Sequence, residues 1–448
     1  MNNYQLSQTV TYYKEDLIWY AYNWFNGVAC SFDDKDHFMY TAFENNLKQI
    51  EFNDLSNEDF QYLIDNKFLV LSNNEIMEAI NEDYLEEISM EHLKLILLPV
   101  GQSCNFSCVY CYEDHSNSVK MGKTQKDILI NFVKNQNLKT VTIEYFGGEP
   151  LLNKQFIFEL NSELIKLSLE NSFKLYSSIT TNAYTLDLDT FSKLLKNNVF
   201  SYQITIDGLP EDHNNFRPLK NSDTTFNKIF NNLIKISSLP NEMIFEIVIR
   251  VNYNEYSATD DKREKFLELL SNTFGNDKRF SFRFRPIGDY SKMNNRKNGK
   301  IYNCSKVKSA EIKNKYNIEA TDKKLRLSDL MMYVGKGSYS CYAGKPNSLI
   351  IMPDLKVMKC SVAFENPLNC VGKIDDNGIF TKNTNWHLWV KDACRTEEKC
   401  TNCHFISQCN GSACPLKNIK SSKIICPDIK DEYKNLSNLI LSQLEILE

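Results

Sequence analysis

The stretch Gly101-Gln-Ser-Cys104-Asn-Phe-Ser-Cys108-Val-Tyr-Cys111-Tyr112 decides the reading of this chain. It follows an apolar, β-rich run over 94–100, which makes it a loop at the C-terminal end of a strand. The spacing is Cys104-x3-Cys108-x2-Cys111, with aromatic Tyr110 just before the last cysteine. Three thiolates on one tight loop can hold three irons of a 4Fe–4S cube and leave the fourth iron open to a small molecule. A zinc loop uses the same residue type, but structural zinc takes four closed ligands, and only His115 stands nearby as a fourth.

Outward from the loop, apolar β-rich runs recur at 94–100, 140–146, 174–181, 201–207, 244–251 and 280–286. Amphipathic stretches lie between them at 124–136, 153–170, 187–197, 223–238 and 261–273. This α/β alternation predicts a parallel sheet with right-handed crossovers, either an open doubly wound sheet or a partial barrel. The predicted strands end in Phe146-Gly147-Gly148-Glu149-Pro150, Thr180-Thr-Asn182, Ile206-Asp207-Gly208, Arg250-Val-Asn252 and Arg285-Pro286. Polar residues therefore gather on the rim where α/β folds build their sites. A glycine pair followed by Glu allows close backbone approach beside an acceptor suited to an ammonium group. Asp207 can accept from ribose hydroxyls and an Arg can pair with a carboxylate, although a lone strand-end Asp is commonly a turn former.

These motifs, in this order, resemble the radical S-adenosylmethionine (SAM) superfamily, with its C-x3-C-x2-C loop, its Gly-Gly-Glu after the second strand and its partial (β/α)6 barrel. The resemblance implies that Cys104, Cys108 and Cys111 bind a 4Fe–4S cluster and that Gly147, Gly148 and Glu149 grip the methionyl amino group of SAM. Ser178, Asn182 and Asp207 match positions that contact the ribose or nearby groups, and Tyr110 belongs to the same cofactor set. Arg217, in His213-Asn-Asn-Phe-Arg217-Pro, looks like the Arg that meets the SAM carboxylate, with Arg250 a second candidate. The chemistry so implied is reductive cleavage of SAM to a 5′-deoxyadenosyl radical that abstracts hydrogen from a substrate.

Cysteine usage supports this reading. Of 14 cysteines, Cys30 stands alone, three lie at 104–111 and ten fall between 304 and 426. Clustered cysteines in a reducing compartment are more often metal ligands than disulfides. Cys341, Cys360, Cys400, Cys403, Cys409, Cys414 and Cys426 resemble the SPASM domain, which carries two auxiliary 4Fe–4S clusters. By that resemblance Cys400, Cys403, Cys409 and Cys426 bind one cluster. Cys341, Cys360 and Cys414 bind the other, with Cys370 and Cys394 as spare candidates for a fourth ligand, or with one iron open to a substrate thiolate. This chain departs from the SPASM pattern in having Leu355 where Gly is usual and one extra residue between Cys409 and Cys414. Taken without the barrel, the region reads equally as a pair of zinc ribbons. Cys30 and Cys304 have no partner pattern.

The N-terminal segment reads as a separate α+β unit. Apolar aromatic runs Leu17–Phe25 and Val28–Phe32 flank the turn dipeptide Asn26-Gly27. A third extended run is expected at His37–Phe43, a helix capped by Ser56 over Phe60, Leu63 and Ile64, and a strand at Phe68–Leu71. This is the arrangement of a winged helix and of other small α+β domains. Residues 12–72 resemble the winged-helix precursor-recognition element of peptide maturases, in Tyr22-Asn-Trp-Phe-Asn-Gly27 and Asn66-Lys-Phe-Leu-Val70. The expected organisation is a winged-helix-like peptide-recognition domain (1–92), a radical SAM partial barrel (93–286), a polar connector or cap (287–340) and a cysteine-rich iron–sulfur domain (341–448).

A net charge of −5 argues against a nucleic-acid partner, and the basic stretch Lys292–Lys300 reads as solvated loop. No signal peptide and no run of about 18 apolar residues is visible, so a cytoplasmic protein is expected. The resemblances imply an oxidoreductase that binds a precursor peptide through its leader, draws electrons from a flavodoxin or ferredoxin, and installs a thioether or carbon–carbon cross-link. The alternatives are an anaerobic sulfatase-maturing, formylglycine-forming enzyme and a non-catalytic iron–sulfur peptide-binding scaffold. Against the first, Ser361 stands where those enzymes carry an Asp that serves as the base, and the nearest downstream carboxylate is Glu365.

Overall fold

The protein is described from a computed structural model. The described residues are 3–50, 56–115, 119–220, 224–288, 306–331, 337, 339–390, 397–411, 413–421, 423–427, 430, 436–440 and 443. Cys304, Cys394 and the stretch 292–300 lie outside them. The chain divides into a unit of Met1–Ser89, Asp329–Lys345 and Trp389–Glu448, and a unit of Met90–Ser328 and Pro346–Leu388.

In the first unit, β1 (Tyr4–Leu6), β2 (Val10–Glu15), β3 (Ile18–Asn23), β4 (Val28–Phe32), β5 (Gln49–Ile50) and β6 (Leu69–Val70) form two antiparallel sheets, ordered β5-β1-β6 and β2-β3-β4. The expected hairpin is present as β3–β4, and its turn is closed by the Gly27 amide donating to the Asn23 carbonyl at 2.9 Å, with Gly27 at φ 75°. The expected extended run at 37–43 is instead a helix, Phe38–Glu44. His37 caps it by accepting from the Met39 amide, and Met39, Ala42 and Phe43 recur at helical spacing and enter the core. The next helix, Glu58–Asp65, is capped by Asn57 rather than Ser56, and buries Phe60 and Leu63 as expected. In the same unit Trp24 is fully buried against Phe405 (ring centroids 5.3 Å), and its carbonyl accepts from Ser407 and Gln408.

The second unit holds β7 (His92–Leu97), β8 (Thr140–Tyr145), β9 (Lys174–Thr181), β10 (Val199–Thr205), β11 (Glu246–Tyr253) and β12 (Phe280–Pro286), all parallel. Their order in the sheet follows their order in the chain. Without a reversal there is no switch point of the doubly wound kind, and right-handed crossovers put the helices on one side. The fold is therefore the partial barrel. Alternation along β8 shows how residues sort: Val141, Ile143 and Tyr145 are buried, while Thr140, Thr142 and Glu144 are half-buried.

Beyond β7 the sheet continues through β13 (Ser348–Ile351), parallel to β7, and then antiparallel β14 (Lys356–Met358), β15 (Cys370–Ile374) and β16 (Phe380–Lys382). Leu355, which stands where a glycine is usual, keeps the left-handed backbone a glycine would adopt, at φ 63°. At the opposite edge, helix Lys306–Asp322 lies on β12, with Tyr316 stacked on Phe284 (4.5 Å).

Candidate active site

The cysteine loop is shaped by local turns and by a strap. Gly101 and Ser103 amides donate back to the carbonyls of Leu98 and Val100. Ser107 and Val109 amides donate to the carbonyls of Pro218 and Phe216, at the C-terminal end of helix Pro210–Phe216. Cys104, Cys108 and Cys111 all line one cavity at the C-terminal rim of the barrel, together with Tyr110, Gly147, Gly148, Asn182, Arg217 and Arg250. Burial pushes the Cys104 thiol up to about 12 and raises those of Cys108 and Cys111. Metal loading on such thiols must displace protons. His115 lines the same cavity, with Nδ1 2.7 Å from the Gln102 carbonyl. Among the described residues no three His, Cys, Asp or Glu side chains converge as a single metal ion requires; the three thiols are set around the cavity.

The Gly147-Gly148 loop presses against the cysteine loop. Gly147 and Gly148 have φ of 80° and 52°, and a Cβ on Gly148 would lie 1.9 Å from the Ser103 carbonyl oxygen. The Glu149 amide donates to that same carbonyl at 2.9 Å. The Glu149 side chain is fully buried and does not line the cavity. Its carboxylate accepts from the Leu151 and Asn182 amides and from the Thr181 hydroxyl. Glu113, which sequence reasoning passed over, is near-buried, lines the cavity and accepts from the Gly148 amide at 2.7 Å. Burial pushes its carboxyl up to about 7, with the Gly148 amide holding part of the rise back. Its signal in the sequence is only its position two residues after Cys111.

Below the loop lies a buried network. The Tyr110 hydroxyl donates to Asp207, and accepts from Arg217 (2.9 Å) and Asn252 (3.1 Å). Asp207 also accepts from the Asn252 amide at 2.8 Å, and Arg217 lies 4.0 Å from its carboxylate. Burial raises the Asp207 carboxyl, and Arg217 and Tyr110 oppose the rise. Asp207 is fully buried and does not line the cavity, so it acts here as the base of the network. Arg250 lines the cavity and donates through Nε to Asn252 at 2.9 Å. Asn182 bonds Asn105 of the cysteine loop at 2.8 Å. Ser178 sits on the face of β9 that carries Thr180, two residues from the rim, and does not line the cavity.

In the first unit, Cys400 and Cys409 are buried on two short helices, Glu398–Thr401 and Ile406–Cys409, and Cys403 is buried between them, while Cys426 is exposed. Burial pushes the Cys409 thiol up to about 12, and Cys403, Cys400 and Cys426 each add to the rise, so the four lie within electrostatic reach. Cys341 and Cys414, in the same unit, are half-buried. Cys360 and Cys370 belong to the other unit, where the Asn369 side chain accepts from the Cys360 amide at 2.7 Å.

A parallel partial barrel with three cysteines, a glycine pair and two arginines around one rim cavity defines a radical SAM domain. Residues 98–261 match the radical SAM superfamily, and the chain contains a radical SAM domain. Among its relatives is the cysteine-type anaerobic sulfatase-maturating enzyme of Clostridium perfringens strain 13, 24% identical over 346 residues, which are 71% of this chain and 88% of that one. The Clostridium novyi enzyme of the same name is 25% identical over 375 residues, 78% of this chain and 96% of that one. The solved structure of native anSMEcpe with bound AdoMet shares the fold, with a TM-score of 0.60 at 18% identity over 79% of this chain and 98% of that one. Among the described residues no helix is long and apolar enough to cross a membrane.

Proposed function

We propose that this enzyme matures a ribosomally made precursor peptide, holding its leader on the N-terminal sheets and installing a thioether or carbon–carbon cross-link. The cysteine loop, with three thiols on a cavity that also presents Gly147-Gly148 and two guanidinium groups, fits a 4Fe–4S cluster carrying SAM as a zwitterionic ligand. When bound, that pair supplies a 5′-deoxyadenosyl radical able to take a hydrogen atom from the peptide. Cys104, Cys108 and Cys111 would hold the cluster. Arg217, already oriented by Tyr110, would meet the SAM carboxylate. Cys400, Cys403, Cys409 and Cys426 would hold one auxiliary cluster, and Cys341, Cys360 and Cys414 would contribute to a second. A flavodoxin or ferredoxin would supply the electron.

The observation that carries the peptide reading is the β2-β3-β4 sheet, whose outer strands have no further neighbour among the described residues. An open edge pairs with an extended peptide through backbone hydrogen bonds alone. The test uses the full chain and the peptide encoded beside its gene, because Trp24 packs on Phe405 and deletion of the N-terminal segment would disturb the cysteine helices. The precursor should bind far more tightly than its leaderless core; equal affinities would sink leader recognition.

The similarity to sulfatase-maturating enzymes favours a second reading, conversion of a peptide Cys or Ser to formylglycine. Formylglycine formed on a sulfatase peptide at a rate matching the cross-linking reaction would put this reading first. Ser361 after Cys360 argues against that outcome.

A further inference from the structure

Away from the cysteine loop the cavity continues over β9, β10 and β11, where Thr180, Gln203, Thr205, Arg250 and Asn252 line it. In the sheet Thr180 stands beside Gln203, and Thr205 beside Arg250. Arg250 donates through Nε to Asn252 at 2.9 Å, and its Nη groups make no hydrogen bond or ion pair among the described residues. Arg283 stands directly opposite Arg250 on β12 and donates to the Gln203 Oε1 at 3.3 Å. That contact takes up the acceptor end of the Gln203 amide and sets its Nε2 end toward Thr180, at 3.4 Å, on the cavity lining. This part of the cavity is therefore rich in donors and positive. Two guanidinium groups side by side on adjacent strands repel, and a carboxylate brought to them offsets the repulsion.

The carboxylates around the barrel interior are engaged elsewhere. Glu144, register partner of Ser178 on the same interior face, is paired with Lys94 at 2.9 Å. Asp207 lies within electrostatic reach of Arg250, but it is fully buried, accepts from Tyr110 and Asn252, and does not line the cavity. Glu113 lines the cavity from the cysteine loop and accepts from the Gly148 amide. SAM brings one carboxylate, and Arg217, held by Tyr110, is placed for it. Arg250 is left without an ion pair from either SAM or a described side chain. We infer that Arg250, with Gln203 and Thr205 beside it, receives a carboxylate of the peptide substrate, so that the segment entering the barrel is acidic. Arg283 is a positioning residue, which turns the Gln203 amide to present its donor end. The inference rests on the peptide reading above and adds the chemistry of the bound segment.

The test measures dissociation constants on the anaerobic, iron-loaded, SAM-saturated full chain for the leaderless core of the peptide encoded beside its gene. Cores in which each Asp or Glu is changed singly to Asn or Gln, and one with an amidated C-terminus, separate a side-chain carboxylate from the terminal one. Removing the matching carboxylate should weaken binding to the wild type by about tenfold or more. Arg250→Gln should weaken the intact core by a similar factor, and the neutralised core should lose little more in that variant, since both changes delete one interaction. Arg250→Lys, which keeps the charge, should recover part of the loss. SAM affinity, measured separately at equal iron content, should change by less than about twofold in Arg250→Gln. A wild-type enzyme indifferent to every carboxylate of a core that it binds would overturn this inference alone, as would additive losses in the variant. A tenfold fall in SAM affinity in Arg250→Gln would also overturn it, by giving Arg250 to SAM. Failure of the wild type to bind either the core or the full precursor would overturn the peptide reading with it.

Discussion

The phenol of Tyr110, in the cysteine loop, donates its hydrogen bond to the carboxylate of Asp207, a residue 97 positions away at the end of β10. Arg217 and Asn252 donate to the same phenolic oxygen, so one side chain ties the loop to two strands and a helix end. Removing the hydroxyl would leave buried Asp207 short of a donor and Arg217 short of an acceptor. Tyr110→Phe should lower the stability of the full chain by about 1–3 kcal/mol. Urea unfolding checks this, and an unchanged midpoint would show that the network carries no net stability.

Gly148 tests the contact between the two loops. A methyl group there meets the Ser103 carbonyl at 1.9 Å, on a backbone with φ of 52° that L side chains rarely adopt. Gly148→Ala should force the loops apart at a cost of about 1–3 kcal/mol and weaken SAM binding by about tenfold or more, with iron content little changed. Equilibrium dialysis with labelled SAM, alongside iron analysis, would reveal a tolerant loop if affinity survived.

Metal content discriminates the cluster reading from zinc. Anaerobic reconstitution should load about twelve irons per chain, the sum for three 4Fe–4S clusters, and the Cys104→Ala, Cys108→Ala, Cys111→Ala triple variant about eight. Iron, sulfide and zinc analysis measures both. About four irons plus zinc in the wild type would remove the auxiliary clusters and weaken the cross-linking proposal.

His213 should make stability depend on pH. It is fully buried, and its Nδ1 accepts from the Asp207 amide at 3.1 Å. Burial, reinforced by the Arg217 charge, holds its imidazole well below the ordinary value of 6.5. The unfolded chain then binds a proton that the folded chain refuses, so His213 contributes stability above pH 6.5 that is lost as pH falls below it. The stability difference between wild type and His213→Gln should shrink by about 1 kcal/mol between about pH 7.5 and about pH 5.5. Urea melts at both pH values check this; a pH-independent difference would contradict it. Referring wild type to variant cancels the buried carboxylates Glu113, Glu149 and Asp207, whose raised values act in the opposite sense.

Trp24 links the N-terminal hairpin to the cysteine helices of the same unit. Its ring is fully buried, its Nε1 donates to Thr11 at 2.8 Å, and Ser407 and Gln408 donate to its carbonyl. Trp24→Ala should cost about 3–5 kcal/mol. It should also reduce iron loading while leaving SAM binding at the barrel intact; selective loss of SAM binding would contradict the placement of Trp24.

The sequence by itself determined the strand–helix alternation of the barrel, the loop carrying Cys104, Cys108 and Cys111, and the polar ends of the strands. These depend on local periodicity and spacing, which the chain displays without its fold. It also flagged Leu355, which retains a glycine-like backbone. Tertiary structure alone decided what depends on burial and on distant partners. The helix at Phe38–Glu44 forms where an extended run was expected, because the core accepts Met39, Ala42 and Phe43 from one helical face. β13 joins the sheet only because β7 offers it an edge some 250 residues earlier in the chain. Glu149 and Glu113 are equivalent as residue types, and only packing determines that the first is held by three protein donors away from the cavity while the second lines it and accepts from the Gly148 amide. A carboxylate's role is set by which donors the fold brings to it, and that is a property of the assembled barrel rather than of the local sequence.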